Sequence, residues 1–176
     1  IDFRQFRRLV VKVGSSLVIG DENCVRIDWL RTVAKDLVEL RGQGIQIVIV
    51  TSGAVGLGRQ TLRYGSRRLE LVEKQAAAAC GQITLISQWA RAFQFDDSES
   101  FYPAQILLTL DDSENRRRYL NARSTLETLL HKPQIIPIVN ENDTVATEEL
   151  KVGDNDRLAA RVAQMISADL LVLLSD

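Results

Sequence analysis

The feature that most constrains this chain is a set of five short, near-continuous runs of Val, Ile and Leu, at 9–13, 45–50, 104–108, 135–139 and 170–174. Alternating apolar and polar residues would mark strands with one wet face; unbroken apolar runs of this length mark strands covered on both faces, as in parallel sheets. Between the runs the period changes to that of a helix. Trp29, Leu30, Val33, Leu37 and Leu40 recur at helical spacing, with Asp28 as the expected N-cap and Gly42 or Gly44 beyond the end. Segments 69–95, 115–132 and 155–167 are also expected to be helical, the first Ala-rich and broken near Gly81. Strands alternating with helices predict a layered α/β fold around a mostly parallel sheet.

Composition narrows the chemistry. Of 176 residues 45% are hydrophobic and only 10 are Gly and 3 Pro, so the chain can bury a core and is expected to form one domain. A net charge of -1 provides no general field for a polyanion, and no nucleic-acid partner is expected. His131 is the single histidine, which removes His-based zinc sites and Ser-His-Asp relays. Cys24 and Cys80 are read as free thiols of a reducing compartment. With no apolar run near 18 residues and no apolar leader at the N-terminus, a cytoplasmic protein without membrane association is expected. The sequence begins without Met and stops just after an apolar run, so it is expected to be a piece of a longer chain.

In an open parallel sheet, ligands gather outside the carboxyl ends of the strands. The residues there are Lys12, Gly14, Ser15 and Ser16 after the first strand, Thr51 to Ala54 after the second, Asn140 to Asp143 after the fourth, and Gly153 to Asp156 opening the last helix. Lys12 in an apolar strand costs desolvation unless it meets an anion; it can hold a ligand phosphate or carboxylate, or it can snorkel to solvent or pair with a core Asp. Gly14 lets a ligand approach the backbone. Gly53, Gly56 and Gly58 follow a strand and open a helix, which suits an anion site with Ser52 adding a hydroxyl, or simply a tight turn. Their spacing is GxxGxG, neither the GxGxxG of dinucleotide folds nor a P-loop. Asp154 can serve as an N-cap and Asp156 as a first-turn charge, but the density of acids and amides also suits an ammonium group, a magnesium ion, or the orientation of other side chains. No EF-hand pattern is present, and no protein metal ligand is assigned.

Arg116, Arg117, Arg118 and Arg123 can form a phosphate patch, but Asp111, Asp112 and Glu114 at the same helix start favour a solvated or subunit-contact face. Trp29 and Trp89 are read as core or interface residues, and His131 as a helix-end cation without chemistry.

Taken together, LVVKVGSS (9–16), IVTSGA (49–54), RYLNAR (118–123), VNEND (139–143) and KVGDND (151–156) resemble the glutamate 5-kinases of the amino-acid kinase superfamily, nearly colinearly over the whole chain. The resemblance implies a three-layer αβα sandwich without a P-loop. Residues 1–176 would be the acceptor-binding part, with the nucleotide-binding part beyond 176. It implies that Lys12 stabilises the transferring phosphoryl group and that Asp156 orients lysines. Ser52, Gly53, Asp143 and Asn155 would hold glutamate, while Gly14, Ser15, Ser175 and Asp176 would join Lys12 around ATP. The implied reaction is ATP-dependent phosphorylation of the glutamate side-chain carboxylate, with Mg2+ accompanying ATP, proline as feedback inhibitor and a homo-oligomeric protein. Alternatives are a kinase for acetylglutamate, aspartate, carbamate or a nucleotide, the kinase part of a pyrroline-5-carboxylate synthase, and an amino-acid-binding module without transfer activity.

Overall fold

A computed structural model describes residues 2–20, 24–95, 100–146 and 154–175. Five strands, β1 (Arg8–Val13), β2 (Gln46–Thr51), β3 (Tyr102–Leu108), β4 (Ile135–Glu141) and β5 (Leu170–Leu174), form one sheet in the order β3-β4-β2-β1-β5. Every pairing is parallel; Lys12 of β1 lies between Val50 of β2 and Leu173 of β5. The connecting helices are α1 (Ser15–Val18), α2 (Ile27–Gly42), α3 (Ala54–Thr61), α4 (Leu71–Ala92), α5 (Leu110–Glu114), α6 (Arg116–Leu130) and α7 (Asp154–Met165).

Strand alternation divides the core in two. Leu9, Val11 and Val13 pack with Leu30, Ala34 and Leu37 of α2 and with Ala78, Leu85 and Trp89 of α4. Val10, Val48 and Val50 face Leu126 and Leu130 of α6 and Leu158 and Val162 of α7. Each fully buried Leu or Ile contributes about 1.5–3 kcal/mol. The three layers follow from right-handed crossovers: the path from β1 to β2 to β3 runs towards one edge with α2 and α4 on one face, and the return to β4 and β5 carries α6 and α7 on the other. The αβα sandwich expected from the sequence is present.

Several local expectations change. Asp28 is not the N-cap of α2; Arg26 holds that position without a side-chain bond, and Asp28 lies in the first turn, where its charge suits the helix dipole. Gly42 closes α2, and Gly44, at φ +89°, stands beyond it. Helix α4 runs unbroken through Gly81. That glycine serves packing: a Cβ there would fall 1.8 Å from the Ala54 carbonyl oxygen, and one on Gly58 would fall 1.7 Å from that of Ala77, so α3 and α4 cross backbone against backbone. Asp111, Asp112 and Glu114 belong to the separate helix α5; Asn115 caps α6 by accepting from the Arg117 and Arg118 amides. Arg118 pairs with Asp111 and Asp112, consistent with a solvated face. His131 ends α6, its Nδ1 2.6 Å from the Glu127 carbonyl oxygen. Cys24 and Cys80 are free thiols. Among the described residues no helix is long and apolar enough to cross a membrane.

Candidate functional site

The polar residues singled out from the sequence converge on the carboxyl edge of the sheet. Lys12 is the penultimate residue of β1 and, by alternation from Val10, faces the α7 side. It is only 8% exposed. Asp156, in the first turn of α7, places Oδ1 2.7 Å from the Lys12 Nζ, with its carboxylate side chain 47% exposed. Oδ1 itself is shielded from solvent, and the Lys12 ammonium is the charge that faces it. Lys12 therefore pairs with an acid of the protein at the carboxyl edge of the sheet, and that acid is half-exposed on α7 rather than the core Asp considered as an alternative.

Gly14 follows β1, its amide donating to the Leu174 carbonyl at 3.0 Å. A Cβ here would stand 3.3 Å from that oxygen and 3.6 Å from Nζ of Lys12, so the absent side chain leaves a cradle beside the ammonium. Ser15 is exposed, and Ser175 lies exposed just beyond β5 at the same edge. Asp176, Gly153, Lys151 and Thr147 lie outside the described residues, as do residues 96–99.

The end of β2 is held from beneath. Thr51 is fully buried and its Oγ1 accepts from Nε1 of the buried Trp89 at 3.1 Å. Gly53 adopts φ +115°, a left-handed conformation that turns the chain from β2 into α3. Ser52, between them, accepts at Oγ from Nδ2 of Asn155 at 2.6 Å. The same nitrogen lies 3.2 Å from the Thr51 carbonyl and 3.3 Å from Oδ1 of Asn140. Asn140, 2% exposed at the end of β4, passes its own Nδ2 to Oε1 of Gln82 at 2.7 Å. One amide thus ties the ends of β2 and β4 to the start of α7. Asn155 Oδ1 is buried without a partner, a polar atom left for a ligand.

Asp143 follows β4, half-buried, and lines a cavity of about 270 Å³ together with Gln82, Asn142 and Ile83. The loop is shaped by the Asn142 amide, which donates to the Leu108 carbonyl at 2.9 Å, and by Thr144, which donates to Oδ1 of Asn142 at 2.6 Å. Asp143 shares Gln82 with the amide series but stands across β2 from Lys12. Gln82 was missed from the sequence, although an amide within the small, mostly apolar run 76–86 was an available signal. The Thr51–Trp89 bond was also missed, because a core tryptophan has no sequence mark for the partner of its N–H. Among the described residues no group of three His, Cys, Asp or Glu could hold a metal ion.

Fold and site together define a three-layer α/β protein that gathers a lysine, carboxylates and amides on the carboxyl edge of a parallel sheet and has no P-loop. The chain belongs to the amino acid kinase family, whose model matches residues 7–176. It is 58% identical over 171 residues to a protein of Paramagnetospirillum magneticum named glutamate 5-kinase, covering 97% of this chain and 45% of that protein. It is 53% identical over 173 residues to glutamate 5-kinase 1 of Mesorhizobium japonicum, covering 98% of this chain and 45% of that one. The glutamate 5-kinase of Gluconobacter oxydans is 51% identical over 173 residues, with the same coverage of 98% and 45%. The chain thus spans less than half the length of these curated relatives. The crystal structure of a UMP kinase from Bacillus anthracis matches 97% of this chain and 65% of its own at a TM-score of 0.55 and 14% identity, which reflects a shared fold.

Proposed function

We propose that this chain is the acceptor-binding part of a glutamate 5-kinase, which transfers the γ-phosphoryl group of ATP to the side-chain carboxylate of L-glutamate. The observation that carries the reading is the placement of the Lys12–Asp156 pair beside the Ser52–Asn155–Asn140 series on one sheet edge. It occurs in a chain 58% identical to a protein of that name. The nucleotide-binding part is expected beyond residue 176.

The chemistry suits these residues. A carboxylate nucleophile has no proton to lose, so transfer requires positioning and charge neutralisation more than a base. Its oxygen attacks the γ-phosphorus while the bond to the β-phosphate oxygen breaks, leaving ADP and an acyl phosphate. Lys12 is the cation available to the phosphoryl oxygens; at 4 Å such a charge contributes about 4 kcal/mol on an effective dielectric near 20. Asp156 holds the ammonium in place, and the Gly14 cradle, with Ser15 and Ser175 at its rim, admits the phosphates. Asp143 would take the α-ammonium group. Ser52, whose oxygen already accepts from Asn155, keeps its proton for the α-carboxylate, and Gly53 gives backbone access beside it.

Magnesium is expected with the ATP phosphates; the described residues offer no cage for it, and no protein ligand is assigned. On the same reading the protein is cytoplasmic and homo-oligomeric, acts in proline biosynthesis, and takes proline as feedback inhibitor. The test is to incubate the full-length protein with ATP, Mg2+ and a panel of acceptors. Glutamate should yield ADP and a hydroxylamine-trappable acyl phosphate. Preferred turnover of acetylglutamate, aspartate, carbamate or UMP, or amino-acid binding without ADP release, would overturn the reading.

A further inference from the structure

We infer that Gln82 contacts the α-carboxylate of the acceptor and makes the site selective for an amino acid whose α-carboxylate is free; this rests on the glutamate reading above. The Thr51 carbonyl can only accept. The Asn155 atom 3.2 Å from it must therefore be the NH2 end. That nitrogen has two hydrogens for three oxygens: Ser52 Oγ at 2.6 Å and the Thr51 carbonyl are its nearer acceptors, and Asn140 Oδ1 at 3.3 Å is its longest contact. Asn140, having presented its oxygen to Asn155, must present its nitrogen to Gln82, whose Oε1 accepts at 2.7 Å. The Thr51 carbonyl thus sets the orientation of Asn155, and Asn140 and Gln82 continue a series in which each oxygen faces a neighbouring nitrogen. The series ends on Nε2 of Gln82, two N–H groups that no described residue accepts and that are not sealed from solvent.

Gln82 lines the cavity of about 270 Å³ whose wall also includes Asp143. A cavity lined by both an N–H donor and carboxylates, here Asp143 and Glu141, can complement a zwitterion: the donor meets the α-carboxylate and Asp143 meets the α-ammonium. The cavity lies against α4 and the ends of β3 and β4, whereas Lys12 is on β1 with β2 between. Two strand spacings, about 10 Å, leave room for a glutamyl side chain reaching from the cavity towards the phosphoryl group at Lys12. Gly81 fixes the position, because the backbone crossing with α3 permits no side chain there and holds the next residue in register above the strand ends.

The experiment uses the full-length protein with L-glutamate and its α-amide, isoglutamine, as acceptors. Absence of glutamate turnover in the wild type would overturn the glutamate reading and this inference with it. Given turnover, wild type should favour glutamate over isoglutamine by more than about tenfold in kcat/KM, roughly 1.4 kcal/mol. Gln82→Glu keeps an oxygen for Asn140 and replaces the outward donor with a negative charge. It should raise the glutamate KM at least about tenfold, leaving the ATP KM and kcat within about threefold. Gln82→Leu should reduce the preference over isoglutamine by at least about threefold, Ser52 still donating to the α-carboxylate. An unchanged glutamate KM in Gln82→Glu would show that Gln82 only supports Asn140 and would overturn the contact. So would a wild type indifferent to isoglutamine, a result that needs no variant to fold.

Discussion

Nζ of Lys12 and Oδ1 of Asp156 stand 2.7 Å apart at the carboxyl edge of the sheet, an ion pair in which the lysine is buried and the acid half-exposed. The exposed partner can yield to an incoming phosphate while the buried one stays in place. In the full-length protein Lys12→Ala should lower kcat by more than about tenfold, roughly 1.4 kcal/mol of barrier, with the circular dichroism spectrum retained. Turnover within that limit would remove Lys12 from the transfer step.

Ser52 and Asn155 share a 2.6 Å hydrogen bond across the gap between β2 and α7. Replacing either by Ala should lose the same interaction, so the pair should be non-additive. A double-mutant cycle on urea unfolding should return a coupling of about 0.5–1.5 kcal/mol. Strict additivity would mean that the bond contributes nothing in solution.

Asp143 lines the same cavity as Gln82, as does Glu141. Asp143→Asn removes a charge-assisted bond of about 1.5–3 kcal/mol to an ammonium group. The glutamate KM should rise about tenfold or more, with kcat little changed if ground and transition states are held alike. An unchanged KM would place the ammonium elsewhere.

Gly81 and Gly58 bring two helix backbones together with no space for a Cβ. Because the obstructing atoms are carbonyl oxygens of Ala54 and Ala77, no rotamer change can relieve the clash. Gly81→Ala should destabilise the chain by more than about 2 kcal/mol despite the better helix propensity of alanine. Chemical denaturation with the midpoint unchanged would refute the crossing.

Glu73 completes a capping box at the start of α4 and pairs with Arg67. The Arg67 guanidinium first, and the Glu70 amide second, lower its carboxyl from 4.5 to about 2. A group depressed on folding stabilises the folded state above its unfolded value, and that stabilisation disappears as pH falls through the folded one. Wild type should therefore lose melting temperature between pH 4.5 and 2 more steeply than Glu73→Gln. Parallel acid limbs would show that the pair does not persist in solution.

The central strands β1, β2 and β4 were legible in the sequence because burial on both faces writes itself as a nearly continuous apolar run, and because helix periodicity survives around it; β3 and β5 carry similar runs but, as the edges of the sheet, are only partly covered, so burial on both faces does not hold for them. The runs at 9–13 and 170–174 match β1 and β5 to within a residue. The polar edge of the sheet was legible for the same reason: polar residues directly after buried strands have one place to go. What the sequence could not contain was the direction of each bond. Gln82 reads as one amide in an Ala-rich helix, and Gly81 as a helix breaker, until the crossing with α3 shows that the glycine sets the helix position and the amide inherits it. Strand order, which places β2 between Asp143 and Lys12, likewise comes from crossover handedness and long-range packing. Local periodicity is a property of neighbours along the chain and can be read there; which donor meets which acceptor depends on elements brought together only when the core closes.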